Sequence, residues 1–335
     1  MKKILLFCVA ATMITLGFWA CGGSTPETNA AAQPQVAVPQ FNADSAFVFT
    51  ETQVAFGPRV TGTDAHKKCV AWYVQQFTKY GCTVIQQPFD AKLYTGEVKK
   101  ATNVIAQINP AATHRIYISA HFDSRNQAEE DKDDAKKKLP ILGADDGASG
   151  VGVMIELARL LQANPAVKDL GVDFVLFDAE DLGKNEDETA KSWGLGSQHW
   201  AANPHAKLYQ PRYGILLDMV GAKNAAFPKE EVSQKHAADF QNKIWQIANE
   251  IGYGNFFLDQ KCRAVIDDHY FVNEIAHIPT VDIINLDISQ GDGGYKFGAY
   301  HHTHDDNMSI IDKTTLRAVG QTVLTVICRE AAMPL

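Results

Sequence analysis

Acidic and histidine side chains follow three apolar runs of the sequence, at the point where each run ends. They are His121 and Asp123, the pair Glu180 and Asp181, and Asp218. Continuous apolar runs are typical of parallel strands that are covered on both faces. The carboxyl ends of such strands meet at one edge of the sheet, where the sites of open α/β sheets assemble. The sequence therefore predicts that these side chains lie together.

Two other segments supply further groups of the same kind. Asp146 lies just before a helical pattern, and His302 belongs to a histidine-rich segment before the last helical pattern. Zinc binds imidazole nitrogen and carboxylate oxygen, and a catalytic zinc ion keeps one position open for substrate. Asp146, Asp181 and His302 would supply three such ligands. Glu180 is adjacent to a ligand without being one, which would place it as a general acid and base.

Each of these residues also has a purely structural interpretation. An Asp or Ser before a helix commonly caps it, as Asp145 or Ser149 would. A carboxylate after a strand is often a solvated turn residue, and a histidine cluster can lie on the surface. The site is favoured because the acids are predicted to share one sheet edge and several follow buried strands.

Alternating strands and helices predict the fold. The predicted strands are Cys82–Pro88, Asn103–Ile108, Arg115–Ala120, Val172–Phe177, Tyr213–Met219 and Thr280–Asn285. The predicted helices are Asp64–Tyr80, Ala148–Gln162, Gly196–Ala202, Ala237–Ile251 and Thr314–Ala331. This order predicts a single α/β domain, with a mostly parallel central sheet flanked by helices on both faces. The first strands would pair antiparallel at one edge. The charged stretches Glu129–Lys138 and Lys184–Lys191 are interpreted as solvated loops.

The N-terminus resembles a bacterial export signal. Lys2 and Lys3 precede an apolar stretch of signal-peptide length, and Cys21 lies where a lipoprotein signal places the lipidated cysteine. We expect a signal peptide at 1–20, a flexible tether at 21–41 and a catalytic domain at 42–335. The protein would then be exported to the periplasm, with the membrane contacted only through a lipid on Cys21.

The net charge argues against nucleic-acid binding, and the remaining cysteines argue against a cysteine metal site. The formal charge is −8 with histidine neutral, which argues against nucleic acid as a partner. Cys69, Cys82, Cys262 and Cys328 have no metal-like spacing. Because Cys69 and Cys328 fall on apolar helical faces, buried free thiols are expected there, and no disulfide is assigned.

Five motifs in order resemble the zinc aminopeptidase superfamily, from about Asn42 to the C-terminus. They are His-x-Asp, Gly-Ala-x-Asp, a paired acid after a strand, Leu-Leu-Asp and His-Thr. Within it, the glutaminyl cyclase branch is the closer match. Leu216–Asn224 and His302–Asn307 resemble cyclase segments, and Val265–His269 carries a double Asp where aminopeptidases typically place Ser.

The resemblance implies an enzyme that converts the N-terminal glutamine of peptides or proteins into pyroglutamate and releases ammonia. It implies one zinc ion per chain on Asp146, Asp181 and His302, with Glu180 as the proton shuttle. Asp218 and Asp267 would form a carboxylate pair that shares a proton and binds a second cation poorly. Asp181 departs from the Glu of animal cyclases.

The remaining site residues are expected to shape the pocket or to support the ligands. The pocket would be lined by Trp193, Ile266, Tyr300 and His301. His121, Asp123, Asp268 and His269 would support the reacting groups from behind, with Asp123 orienting a histidine.

Two other functions stay open. In a two-zinc aminopeptidase, the ligands would be His121, Asp146, Asp181, Asp218 and His302. A metal-free binding domain exported on the same fold is an alternative from another class.

Overall fold

The central sheet begins with a long antiparallel hairpin. The computed structural model describes residues 37–333 except 163, 186 and 188, and it describes only the backbone of residue 166. The strands are β1 (Thr83–Lys92), β2 (Val98–Ile108), β3 (Arg115–His121), β4 (Gly171–Phe177), β5 (Gly214–Asp218), β6 (Phe227–Glu230), β7 (Phe257–Cys262) and β8 (Thr280–Ile284). The described residues place six of them in one sheet of order β1-β2-β4-β3-β5-β8.

The sheet is mixed, with its parallel strands in a block. β1, β2 and β4 pair antiparallel in sequence, whereas β4, β3, β5 and β8 run parallel. The carboxyl ends of these four strands therefore lie along one edge, as the sequence predicts. β6 and β7 form a separate two-stranded parallel pair.

Helices cover both faces of the sheet. They are α1 (Ala43–Ala55), α2 (Asp64–Lys79), α3 (Ala148–Gln162), α4 (Leu195–Ala202), α5 (Glu231–Glu250), α6 (Asp268–Phe271) and α7 (Lys313–Ala331). The larger core contains Ile116 and Ile118 with the apolar faces of α1, α2, α3, α5 and α7. Tyr117 points to the other face, where its ring centroid lies 5.3 Å from that of Trp200 on α4. The fold class predicted from the sequence is confirmed.

Several elements differ from the prediction. α1 was not predicted, because its apolar residues follow no clear helical period. α5 begins at Glu231 rather than at Ala237, since Ala237 has non-helical backbone angles (φ −142°, ψ 31°) that bend the helix. β1 continues to Lys92 and β2 begins at Val98, so both strands are longer than predicted. Mostly polar side chains face solvent in these extensions and give no apolar signal.

Ordered packing begins before the predicted domain boundary. Asn42 caps α1 by accepting a hydrogen bond from the Ser45 backbone. Phe41, expected in the tether, is buried, packs on Gly320, and donates its backbone N–H to Gln321 (2.8 Å). The signal peptide, Cys21 and residues 21–36 of the tether lie outside the described residues. In the part that is described, no helix is long and apolar enough to cross a membrane.

The four cysteines of the described chain are buried and free. Burial raises the pKa of Cys69 and Cys328 to about 11, and the pKa of Cys82 and Cys262 to about 12. All four are therefore protonated and inert at neutral pH.

Candidate metal and catalytic site

The turn between β3 and α3 presents Asp146 to a cleft at the carboxyl edge of the sheet. Asp306 accepts the backbone N–H groups of Asp145 (2.8 Å) and Asp146 (3.2 Å). Gly147 has a φ of +103°, and a Cβ there would lie 2.5 Å from the Asp123 carbonyl oxygen. The tight turn therefore requires glycine, and it leaves the Asp146 side chain facing the cleft.

The loop after β4 presents Glu180 and Asp181. Ala179 has a φ of 56°, a strained conformation for a non-glycine residue and one often found at functional sites. Asp123 accepts the backbone N–H groups of Glu180 (3.0 Å) and Asp181 (3.2 Å). Its carboxylate also lies 3.8 Å from His121 Nδ1, so Asp123 fixes this loop as well as facing a histidine.

His302 completes the predicted ligand set from the loop before α7. Its φ is 51°, so its backbone is strained as well. His302 Nε2 lies 3.2 Å from Asp181 Oδ1 and 3.8 Å from Asp146 Oδ2. The structure therefore brings together the three residues that the sequence singles out.

The spacing of Asp181 and His302 suits a shared zinc ion, and Asp146 lies close to His302 together with His301. Both carboxylate oxygens of Asp181 are buried, and neither has a hydrogen-bond partner among the described residues. Asp181 Oδ1 and His302 Nε2 are thus close without the alignment of a hydrogen bond. Two ligands at about 2.0–2.1 Å from one tetrahedral zinc ion lie about 3.3 Å apart, close to the spacing found here.

His121 and Asp218 form a second group beside the first. His121 Nε2 lies 3.0 Å from Asp146 Oδ1 and forms a hydrogen bond with Asp218 Oδ1 (3.2 Å). These three side chains are close enough to hold a cation. In contrast to Asp181, however, Asp218 already has a hydrogen-bond partner in His121.

Asp267, Asp218 and Glu180, which face the cleft, hold protons more tightly than usual. Burial, with the charge of Asp218, raises the pKa of Asp267 to about 7. Burial also raises the pKa of Asp218 to about 6, although its hydrogen bond to His121 opposes the change. The pKa of Glu180 is raised well above its ordinary value by burial, against the charge of His121. Asp218 and Asp267 can therefore gain and lose protons near neutral pH, as general acids and bases must.

The cleft has a volume of about 1230 Å³. Its wall includes Trp193, Ile266 and His301 from the predicted pocket, together with Asn185 and Asp187 from a stretch expected to be a solvated loop. The Trp193 indole lies against Gly183, where a Cβ would meet it at 2.0 Å, and is nearly parallel to the His302 ring (12°).

Tyr300 was predicted wrongly as a pocket residue. It does not line the cleft, because its hydroxyl donates to Asp145 and accepts from Asn285 (3.0 Å) behind it. Asp145 also accepts the Gly221 N–H (2.6 Å). Tyr300 and Asp145 therefore hold the metal-site turn in place from within the protein.

Asp268 and His269 are buried and are not part of the cleft wall. His269 is fully buried, and its Nε2 contacts Glu230 Oε1 (3.2 Å). Its Nδ1 lies 3.6 Å from Asp282 Oδ2. The Asp268 carboxylate oxygens have no hydrogen-bond partner among the described residues, and burial raises the pKa of that group well above its ordinary value.

Sequence reasoning missed Glu129. It was assigned to a solvated loop, but its Oε1 lies 3.0 Å from His302 Nδ1. Asp131 of the same stretch contacts His304 Nδ1 (2.8 Å). The remaining sequence signal is weak. Arg125 precedes Glu129 by four residues, which is a common spacing for an ion pair and does not by itself indicate a site.

Comparisons with known proteins agree with this geometry. A zinc-dependent exopeptidase structure from Parabacteroides distasonis is 45% identical, with a TM-score of 0.83, covering 87% of this chain and 99% of that chain. The glutaminyl cyclase of Bacteroides thetaiotaomicron, bound to N-acetylhistamine, is 44% identical, with a TM-score of 0.82 and coverage of 87% and 99%.

A glutaminyl-peptide cyclotransferase of Boiga dendrophila is more distant. It is 27% identical over 248 residues, which are 66% of this chain and 63% of the snake protein, so the match spans less than two thirds of that relative. The model of peptidase family M28 matches residues 103–327. That range runs from β2 into α7 and contains the ligands and Glu180 in the predicted order. The chain belongs to peptidase family M28.

Proposed function

We propose that the protein is a zinc-dependent glutaminyl-peptide cyclotransferase, which converts the N-terminal glutamine of peptides into pyroglutamate and releases ammonia. The carrying observation is the Asp267 carboxyl group, which lines the cleft with Asp218 and has a pKa of about 7. The resemblance places this Asp where aminopeptidases have Ser. The glutaminyl cyclase from Bacteroides and the cyclotransferase from Boiga support the same activity.

Cyclisation is attack of the α-amine of glutamine on its own γ-carbonyl. Zinc, when bound by Asp146, Asp181 and His302, supplies a Lewis acid that polarises a carbonyl. Glu180 lines the cleft next to Asp181. It removes a proton from the attacking amine and returns it to the nitrogen that leaves as ammonia, so the proton count balances.

The other cleft residues orient the substrate. A proton held between Asp218 and Asp267 lets one carboxylate accept from the α-amine while the pair keeps a single negative charge. Trp193, Ile266 and His301 enclose the aliphatic part of the glutamine side chain. Enclosure folds a flexible chain toward the geometry of attack before the reaction begins.

We further propose a single zinc ion per chain. Asp218 accepts a hydrogen bond from His121, whereas the oxygens of Asp181 have no hydrogen-bond partner among the residues that the structure describes. A proton satisfies the contact between His121 and Asp218, whereas the oxygens of Asp181 are free to bind a metal ion. The two-zinc aminopeptidase remains the second candidate, because His121, Asp146 and Asp218 are close enough to hold another ion.

One assay separates the candidates. The purified protein is incubated with a peptide that begins with glutamine, and the product mass is measured. Loss of ammonia without shortening supports the cyclase. Loss of the first residue, or hydrolysis of a leucyl anilide with two zinc ions bound, supports the aminopeptidase. A protein without tightly bound metal and without either activity would support the binding domain.

The cellular location is also a proposal. We propose export to the periplasm and attachment to a membrane through a lipid on Cys21. In bacteria that express the full chain, Cys21→Ser should move the protein from the membrane fraction to the soluble periplasmic fraction. An unchanged distribution would contradict the anchor.

A further inference from the structure

Arg125 is a buried cation next to the candidate site. Its side chain is 1% exposed. Its Nη1 donates to the carbonyl oxygens of Asp181 (3.1 Å) and Gly183 (2.9 Å), and its guanidinium lies 4.7 Å from the Trp193 ring centroid. One side chain therefore contacts the backbone of a predicted zinc ligand and the wall of the cleft.

Glu129 connects Arg125 to the other loop of the site. It accepts from Arg125 Nε (2.9 Å) and Nη2 (2.6 Å), and from Asn185 (3.0 Å). The same oxygen lies 3.0 Å from His302 Nδ1. Contacts that run from Asp181 through Arg125 and Glu129 to His302 thus join two loops that are far apart in sequence.

This chain of contacts suits a histidine ligand. An imidazole that binds metal through Nε2 carries its proton on Nδ1, and a carboxylate that accepts this proton fixes the ring and increases its basicity. A lone carboxylate would be costly at this partly buried position, where 16% of the side chain is exposed, and Arg125 neutralises it. The planar guanidinium of Arg125 holds the Asp181 backbone and the Glu129 carboxylate at a fixed spacing, which the flexible side chain of a lysine would not do.

We propose that Arg125 and Glu129 form a clamp that sets the zinc affinity, by holding Asp181 and His302 at the spacing that one ion requires. Both are positioning residues. The inference rests on the zinc dependence in the proposed function, and it assigns a role to a segment whose sequence resembles a solvated loop.

The chain contains a matched control. Asp131 and His304 form a second carboxylate–histidine contact (2.8 Å) between the same two segments. Neither residue contacts Asp146, Asp181 or His302 through a side chain in the described structure. A change at Asp131 therefore perturbs the loop without removing a ligand's partner.

The test measures zinc affinity on the full chain by competition with a chromophoric chelator. Glu129→Gln, which keeps the side-chain volume, should weaken zinc binding by about 10–100-fold. Asp131→Asn should stay within about 5-fold of the unchanged protein. Arg125→Lys should also weaken binding, and the absorption spectrum of bound cobalt(II) should change in both clamp variants but not in Asp131→Asn.

Melting temperatures of the metal-free proteins separate folding from positioning. The clamp is overturned if Glu129→Gln and Arg125→Lys bind zinc as tightly as Asp131→Asn, or if their weakening follows an equal loss of metal-free stability. If Glu129→Gln does not fold, Glu129→Asp, which keeps the partner charge for Arg125, takes its place under the same criteria. An unchanged protein that binds zinc but releases no ammonia would contradict the proposed function and leave the clamp standing.

Discussion

The two ends of the parallel strands hold buried carboxylates in opposite states of pairing. At the amino end, Asp173 accepts from Arg115 Nε (2.8 Å) and Nη2 (2.9 Å) and from Tyr209 (2.6 Å). Glu330 accepts from Lys243 (2.9 Å) and contacts Arg212. Every carboxylate named here has a cation within contact distance.

At the carboxyl end, acids outnumber cations. Oxygens of Asp181, Asp267 and Asp268 are buried without a hydrogen-bond partner in the described structure. Burial raises the pKa of Glu180 well above its ordinary value, whereas the hydrogen bond from Lys243 helps to lower the pKa of Glu330 against the effect of burial. Hydrogen-bonded cations therefore accompany the named carboxylates of the amino end and are lacking at Asp181, Asp267 and Asp268 in the described structure.

The largest expected effect is at the carboxyl end. Glu180→Gln should lower kcat by about 10²–10⁴-fold, because the amide cannot take a proton from the amine. Bound zinc should stay unchanged, since Glu180 is not a ligand. Ammonia release and zinc content measure the two quantities, and substantial remaining turnover would contradict the shuttle.

At the amino end we expect a loss of stability instead. Asp173→Asn leaves Arg115 without its carboxylate, which should lower the free energy of unfolding by about 3–5 kcal/mol. Activity per folded molecule should not change, because the contact is remote from the cleft. Urea denaturation and kcat at saturating substrate test this. Asp90→Asn, which removes an exposed contact with Lys100, is the control and should change neither.

A pH dependence follows from Asp267. Its folded-state pKa of about 7 lies above the model-compound value of 3.8, so its stabilising effect is present at low pH and is lost as the pH rises through 7. Asp267→Asn should therefore gain stability relative to the unchanged protein between about pH 5 and pH 8, by at least about 1 kcal/mol. Urea midpoints of the metal-free proteins measure this, and a pH-independent difference would refute it.

The smallest expected effect concerns the pocket wall. Trp193→Phe should raise KM for the glutamine peptide by about 10-fold with a smaller change in kcat, because it removes enclosing surface and no reacting group. Tyr300→Phe is the comparison, since its hydroxyl faces Asp145 behind the cleft. It should leave KM unchanged. A larger KM effect at Tyr300 than at Trp193 would reverse the assignment of the wall.

The sequence predicts best the positions of those site residues that are fixed by the end of a strand or the start of a helix. Asp146, Asp181 and Asp218 come together because the end of a strand or the start of a helix fixes where each side chain points, and the apolar runs locate those ends. Glu129 and Tyr300 could not be placed in this way. Their positions depend on how two long loops fold over the sheet, which is decided by tertiary contacts such as Arg125 with Asp181.

The four inert thiols have a consequence for how the protein can be handled. A domain that needs no disulfide can fold in a reducing cytoplasm, whatever compartment it finally occupies. In the described part of the chain, thiol reagents and mild oxidants meet only buried, protonated sulfur while the native state persists. Each buried cysteine can then be used to follow local unfolding, because the rate of labelling at that position measures how readily the surrounding core opens.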